Sequence, residues 1–400
     1  MKQILFVDDE QNVLEGLARM LRGMRHEWKM TFLSDPLRAA ALLEQPTFDA
    51  IVVDMRMPQM DGAELLARAR ERSPGTARIV LSGHAEREAA LRSVGLAHQF
   101  LAKPCNADTL RTTVARVCGL RGLLLQAGLA DLVCEFGALP SLPRLYHEIT
   151  EELARDEVAL KRVAAIVGQD VAMTARVLQL VNSAFFGLGR RVGTMEEAVS
   201  YLGVDVLRAL AASHTAFVAF EGRDLSYLND LWRHSLLTGL LAKAIGQGMS
   251  SDRLVHGEAL QAGMLHDIGA LILATRMAEQ HRQARERSDG AGVPLATAER
   301  EIFNCDHGHV GAYLMGLWGL SDRIVEALAY HDIPGDCAFR SFAPLTAVHI
   351  ASVLMHEAVG TTHVEASLDV EYLGSCGCLE RLPQWRTLAQ QIVDGNGACQ

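Results

Sequence analysis

The strongest constraint in the sequence is a unit repeated near its start: a short apolar run closed by a polar residue, followed by helical spacing. Ile4-Leu5-Phe6-Val7 ends at Asp8 and Asp9, Ala50-Ile51-Val52-Val53 at Asp54, and Ile79-Val80-Leu81 at Ser82. Gln99-Phe100-Leu101 stands just before Lys103, and Met30-Thr31-Phe32-Leu33 is the remaining run. Between them apolar residues recur with a helical period over about 11–25, 36–44, 61–72 and 85–95, and again from about Asn106. Short apolar strands alternating with helices imply a parallel sheet covered on both faces. The first 120 residues are therefore expected to fold as a doubly wound α/β unit, (βα)5.

In an open parallel sheet the site lies at the C-terminal ends of the strands. Asp8, Asp9, Asp54, Ser82 and Lys103 would converge there. Three carboxylates repel one another, and a hard divalent cation such as Mg²⁺ relieves this. A neutralised carboxylate, a lysine and a hydroxyl suit phosphoryl transfer to a carboxylate. Asp54 would be the nucleophile, Mg²⁺ and Lys103 would balance the phosphoryl charge, and Ser82 would hydrogen-bond one oxygen. Taken singly each is an ordinary loop residue; five of the right types at strand ends are not.

After the break Gly137-Ala138-Leu139-Pro140-Ser141-Leu142-Pro143 the pattern changes to helix alone. Helical periods occupy about 145–155, 158–168, 171–182, 195–202, 204–220, 227–248, 254–273, 276–286, 294–303, 306–318, 321–330 and 343–358. The expectation is an all-α domain with no second sheet, joined through a stiff helix running from about Asn106 to Glu135. Its leucine spacing is too irregular to establish a coiled coil. A short helix could start at Pro383-Gln384-Trp385, and residues 394–400 should be disordered.

Charge separates the halves as well. Residues 1–120 hold 16 Lys and Arg against 15 Asp and Glu, a net of +1, so the remainder carries −11. An acidic output with no basic recognition helix argues against DNA binding. No apolar run of about 18 residues exists, and the N-terminus meets three acids too early for a signal peptide. A cytoplasmic chain with no membrane contact is expected.

The first region closely resembles the response-regulator receiver family. The resemblance rests on Val7-Asp8-Asp9-Glu10, on Asp54-Met55-Arg56-Met57-Pro58-Gln59-Met60-Asp61-Gly62, on Leu81-Ser82-Gly83 and on Lys103-Pro104. It implies that Asp54 accepts a phosphoryl group from a sensor histidine kinase. It implies that Asp9, Asp54 and the backbone carbonyl of Arg56 bind Mg²⁺ with help from Asp8, and that Ser82 and Phe100 relay the switch. A cis Lys103-Pro104 bond would aim Lys103 inward.

The second region resembles the HDOD domain, a branch of the HD superfamily. The matching pieces include Leu139-Pro140-Ser141-Leu142-Pro143, Leu180-Val181-Asn182-Ser183-Ala184-Phe185-Phe186-Gly187, Trp232-Arg233-His234-Ser235 and Gly263-Met264-Leu265-His266-Asp267-Ile268-Gly269, followed by Asp306-His307, Leu317-Trp318-Gly319-Leu320 and His331. The expected division is receiver 1–120, helical linker 121–137, HDOD domain 138–338 and a C-terminal extension 339–400.

HD phosphohydrolases hold metal with a histidine, an adjacent His-Asp pair and a further Asp. His234, His266 and Asp267 supply the first three, and His331 is an additional candidate. Ser352 stands where the last Asp would fall, and no Gly-Tyr-Pro motif occurs. The expectation is therefore a non-catalytic output that binds no transition metal and acts on downstream signalling proteins, with a homodimer as an option. The competing reading is a receiver-regulated, metal-dependent phosphohydrolase acting on a cyclic dinucleotide. His307 and His309 are two apart, so at most one points inward.

Overall fold

The computed structural model describes residues 1–44, 48–83, 93, 96–125, 129, 133, 139–141, 143–155, 157–182, 192, 194–212, 217–219, 225–337, 340–360 and 367–397. Strands β1 (Lys2–Val7), β2 (Trp28–Leu33), β3 (Ala50–Asp54), β4 (Ala77–Gly83) and β5 (Gln99–Lys103) form one parallel sheet in the order β2-β1-β3-β4-β5. Helices α1 (Gln11–Met20), α2 (Pro36–Leu42), α3 (Gly62–Arg72) and α4 (Ala107–Leu125) cover it. The helix expected over 85–95 lies outside the described residues, as do most of 126–138.

Period-2 alternation within the strands feeds two cores. Ile4, Phe6, Val52, Ile79 and Leu101 pack with Leu110 and Val114 of α4. Leu5, Val7, Ile51, Val53, Val80 and Phe100 pack with Leu65 and Leu66 of α3. A one-residue slip would exchange the two faces, so the register is strongly specified.

The rest is helical: α5 (Pro143–Leu153), α6 (Leu160–Val167), α7 (Val171–Val181), α8 (Met195–Ala212), α9 (Leu225–Met249), α10 (Arg253–Leu265), α11 (Ile268–Arg276), α12 (Ala278–Ala291), α13 (Leu295–Phe303), α14 (His307–Leu317), α15 (Asp322–Tyr330), α16 (Pro344–Val359), α17 (Val370–Ser375) and α18 (Leu382–Gly397). Neither core stops at the domain boundary. The first continues through Val171, Leu178, Leu314 and Trp318, the second through Leu145, Val177, Leu180 and Leu202.

Four expectations need correction. A second sheet exists: Leu139–Ser141 pairs in parallel with Phe217–Ala219, segments of three residues too short to show a period. The helix expected over 204–220 ends by Ala212; its start is marked by Gly203 at φ +78°, inside α8. The single helix expected over 254–273 is two, broken at His266 and Asp267. At the end of the chain α18 runs on to Gly397, so residues 394–397 are helical. No single helix among the described residues is long and apolar enough to cross a membrane.

Candidate functional sites

The register Val7↔Val53, Asp54↔Leu81 and Gly83↔Lys103 brings the strand ends together. Asp8 and Asp54 are buried there, at 2% and 4% exposure. Lys103 Nζ lies 2.7 Å from Asp8 Oδ2 and also bonds Asp54 Oδ1. The Arg56 amide donates to Asp54 Oδ2 at 2.8 Å, and the Glu10 amide donates to Asp8 Oδ1 at 3.0 Å. The Lys103–Pro104 bond is cis. Gly62 lets α3 start against the Asp54 backbone, since a Cβ there would sit 2.3 Å from the Asp54 carbonyl oxygen. Asp61 caps that helix in a capping box with Glu64.

Burial pushes the Asp54 carboxyl above its usual range, against the pull of Lys103 and the Arg56 amide. Burial also disfavours the Lys103 cation, but Asp54 and Asp8 outweigh it and raise its pKa. Asp9 follows Asp8 and is exposed. Three carboxylates against one ammonium leave excess negative charge, and an all-oxygen donor set of this kind fits Mg²⁺. Ser82 is buried at the end of β4, and Phe100 is 1% exposed within the core.

The helical region holds a second cluster. His234 comes from α9, His266 and Asp267 from the break between α10 and α11, His307 from the first position of α14, and His331 and Asp332 from the end of α15. His234 Nε2 and His266 Nε2 are 3.2 Å apart. Asp267 Oδ2 lies 3.2 Å from His266 Nε2 and 3.9 Å from His234 Nε2. The other oxygen, Oδ1, lies 3.4 Å from His307 Nε2 and 3.7 Å from His331 Nε2. His307 Nε2 is 3.3 Å from His331 Nε2, and each is 3.6 Å from an Asp332 oxygen.

On three of these rings the opposite nitrogen is committed. His266 Nδ1 donates to the Gly263 carbonyl at 2.8 Å, and His331 Nδ1 to the Leu328 carbonyl at 2.9 Å. His307 Nδ1 donates to Glu299 Oε2 at 2.7 Å. In the neutral rings these bonds leave an Nε2 lone pair pointing into the cluster. Two three-ligand sets share Asp267: His234, His266 and Asp267, and Asp267, His307 and His331. Imidazoles held by outer carbonyls and a carboxylate fit transition metals such as Zn, Mn or Fe. Burial drives the His266 pKa down to about 4 and lowers His234 too. Burial opposes charge on His307 as well, but Glu299 outweighs it and raises that pKa.

The cluster floors a cavity of about 430 Å³ whose walls include Tyr227, Arg285, Ser352 and His356. Arg285 stacks on the Tyr227 ring at 3.8 Å. Ser352 and His356 lie one turn apart on α16, and the His356 ring stacks on His234 at 3.8 Å.

All four histidine-cluster residues expected from the sequence meet: His234, His266, Asp267 and His331. His307 and Asp332, which the sequence offers only as possible additions to the set, join it; Glu299 was missed. The helix-start signal Asp306-His307 was visible, but Glu299 is eight residues away in an unremarkable helix. Of the two nearby histidines, His307 points inward, while His309 bonds the capping Asp306. Asn182 ends α7, and residues 183–187 of that motif lie outside the described residues.

A family model described as the response regulator receiver domain matches residues 4–115, and one described as the HDOD domain matches residues 139–334. The chain is a response regulator with a receiver domain followed by an HDOD domain. Among curated relatives of this response regulator is an uncharacterized protein of Treponema pallidum, 27% identical over 52% of this chain and 39% of its own length. The hydrogenase transcriptional regulatory protein HoxA of Cupriavidus necator is 35% identical over 54% of this chain and 45% of its own. The chain thus spans less than half the length of either relative. Among solved structures, the MmoQ response regulator of Methylococcus capsulatus aligns at 24% identity and a TM-score of 0.47, covering 61% of this chain and 97% of that one. An HDOD domain protein of Geobacter sulfurreducens aligns at 24% identity and a TM-score of 0.35, covering 67% and 93%.

Proposed function

We propose that this response regulator takes a phosphoryl group onto Asp54 from the phosphohistidine of a sensor histidine kinase. The observation that carries this is one ammonium, Lys103, shared by the buried carboxylates of Asp8 and Asp54. An Asp54 oxygen attacks phosphorus, the P–N bond breaks, and the departing imidazole takes up a proton. Lys103 would balance the new charge, and the Ser82 hydroxyl would hydrogen-bond one phosphoryl oxygen. Mg²⁺, held by Asp8, Asp9, Asp54 and the Arg56 carbonyl, would supply charge neutralisation when bound. Incubation with acetyl phosphate and Mg²⁺ tests the reading: wild type gains one phosphoryl group by intact mass, and Asp54→Asn gains none.

In this reading the receiver spans 1–120, a helical connection 121–137, the HDOD domain 138–338 and an extension 339–400. The HDOD domain would pass the signal to a downstream signalling protein through a surface that depends on the receiver state. Pull-down with the full chain, with and without phosphodonor, tests that output. A second reading is favoured by the converging Nε2 atoms: the HDOD domain holds transition metal and acts on a phosphate ester in the adjoining cavity. His234, His266, Asp267, His307 and His331 would hold the metal, which would supply Lewis acidity when bound. Glu299 orients His307, and Arg285 presents a cation to an anionic ligand. Metal analysis of wild type and His266→Ala, followed by turnover with candidate nucleotides, separates the two readings.

A further inference from the structure

We propose that α14 is a connecting rod that ties the phosphorylation state of the receiver to the geometry of the His/Asp cluster. This rests on Asp54 being the phosphoacceptor. The helix begins at His307, a cluster residue, and ends at Leu317, whose carbonyl accepts a 2.6 Å hydrogen bond from Gln99 Nε2 on β5. The two ends are about 15 Å apart at 1.5 Å per residue.

The cluster end is locked by backbone packing. A Cβ on Gly269 would lie 1.9 Å from the His307 carbonyl oxygen, and one on Gly308 would lie 2.8 Å from the Leu328 carbonyl oxygen. Movement of α14 is therefore shared with the turn carrying Asp267 and with the helix leading to His331. Close-packed elements shift between discrete arrangements rather than deforming smoothly.

The far end is seated on the receiver by several contacts. Gly319, at φ +84°, leaves room for the Gln99 side chain, which a Cβ would meet at 2.7 Å. Arg116 of α4 bonds the Leu320 carbonyl and lies 3.4 Å from Asp322. Trp318 sits under the Arg176 guanidinium at 4.3 Å, and Arg176 bonds Gln179 at 2.5 Å. Gln179 Nε2 in turn donates to the His98 carbonyl at 3.2 Å, in the turn that enters β5. Strand β5 thus carries Lys103, the Asp54 partner, at one end and Gln99, the α14 partner, at the other. Phosphorylation would give Lys103 a new partner, and the pull along β5 reaches α14 through Gln99.

The test uses the full chain, Mg²⁺ and beryllium fluoride as the acyl-phosphate mimic, with amide hydrogen exchange as the readout. Beryllium fluoride is expected to change exchange in 307–317 by at least about fivefold, the low end of ordinary allosteric coupling. Gln99→Ala should keep the response within 50–60 and lose the response in α14. Arg116→Gln, a change at a side chain about a quarter exposed, should weaken it. The proposal is overturned if α14 stays silent while the wild-type receiver responds, or if both variants transmit like wild type. A receiver that is itself silent overturns the phosphoacceptor reading and the connecting rod with it.

Discussion

His307 and His331 face each other through their Nε2 atoms at 3.3 Å, and each ring is held from behind by a bond at Nδ1. Neither can turn away without abandoning Glu299 or the Leu328 carbonyl. Glu299 raises the His307 pKa, so a proton fits the gap between the two Nε2 atoms, and a metal cation would take the place of that proton.

Metal uptake tests the second reading of the HDOD domain. Wild type dialysed against Co²⁺ should retain at least one ion per chain with visible d–d absorption, and His266→Ala should lose it. Glu299→Gln removes the carboxylate behind His307 and should weaken affinity about 10- to 100-fold. Retention in His266→Ala equal to wild type would move the ion elsewhere.

In the receiver, Lys103→Ala removes the only ammonium contacting Asp8 and Asp54 among the described residues. Losing one fixed electrostatic donor commonly costs about 10²–10³ in rate. Phosphoryl uptake from acetyl phosphate should slow by roughly that factor, and kinetics by intact mass will read it. A rate near wild type would remove Lys103 from the chemistry.

Acid should destabilise the metal-free protein through His266. Its pKa falls to about 4 through burial, whereas an unfolded histidine titrates near 6.5. Between those values the unfolded chain binds the proton and the folded one does not. Stability is therefore present above about 6.5 and lost as pH falls toward about 4, by on the order of 3 kcal/mol. His234 adds the same sign. His307 has the opposite sign: its raised pKa gives stability below 6.5 that is lost as pH rises through the folded value. Urea unfolding across pH 4.5–8 should show the acid limb flattened in His266→Gln; an unchanged slope would count against the assignment.

Gly269→Ala should be costly although it adds one methyl. The new carbon would meet the His307 carbonyl at 1.9 Å, where backbone must move. Overpacking of this kind costs about 1–3 kcal/mol. Thermal unfolding should show a lower Tm, with the cluster residues losing exchange protection first.

Four of the five receiver strands were legible because their runs end at or near a residue of distinct chemistry, Asp8, Asp54, Ser82 or Lys103. His266-Asp267 was legible as an adjacent pair. Glu299 was not, because its role depends on how α13 crosses α14, which periodicity does not encode. Ser352 stands where the HD pattern would put its last Asp, and it lines the cavity. The sequence offered no sign that His356, one turn further along α16, would stack on His234. The Gln99–Leu317 bond was equally hidden, since it joins residues 218 positions apart.

Both apolar cores pass without interruption from the sheet into the helices. Cutting between the two family-defined regions would therefore expose two oily faces, and each fragment would be prone to clump or melt early. Transplanting a foreign receiver onto this output would fail for the same reason unless the incoming partner carried a matching underside. The chain is better treated by protein engineers as one cooperative body than as two interchangeable parts.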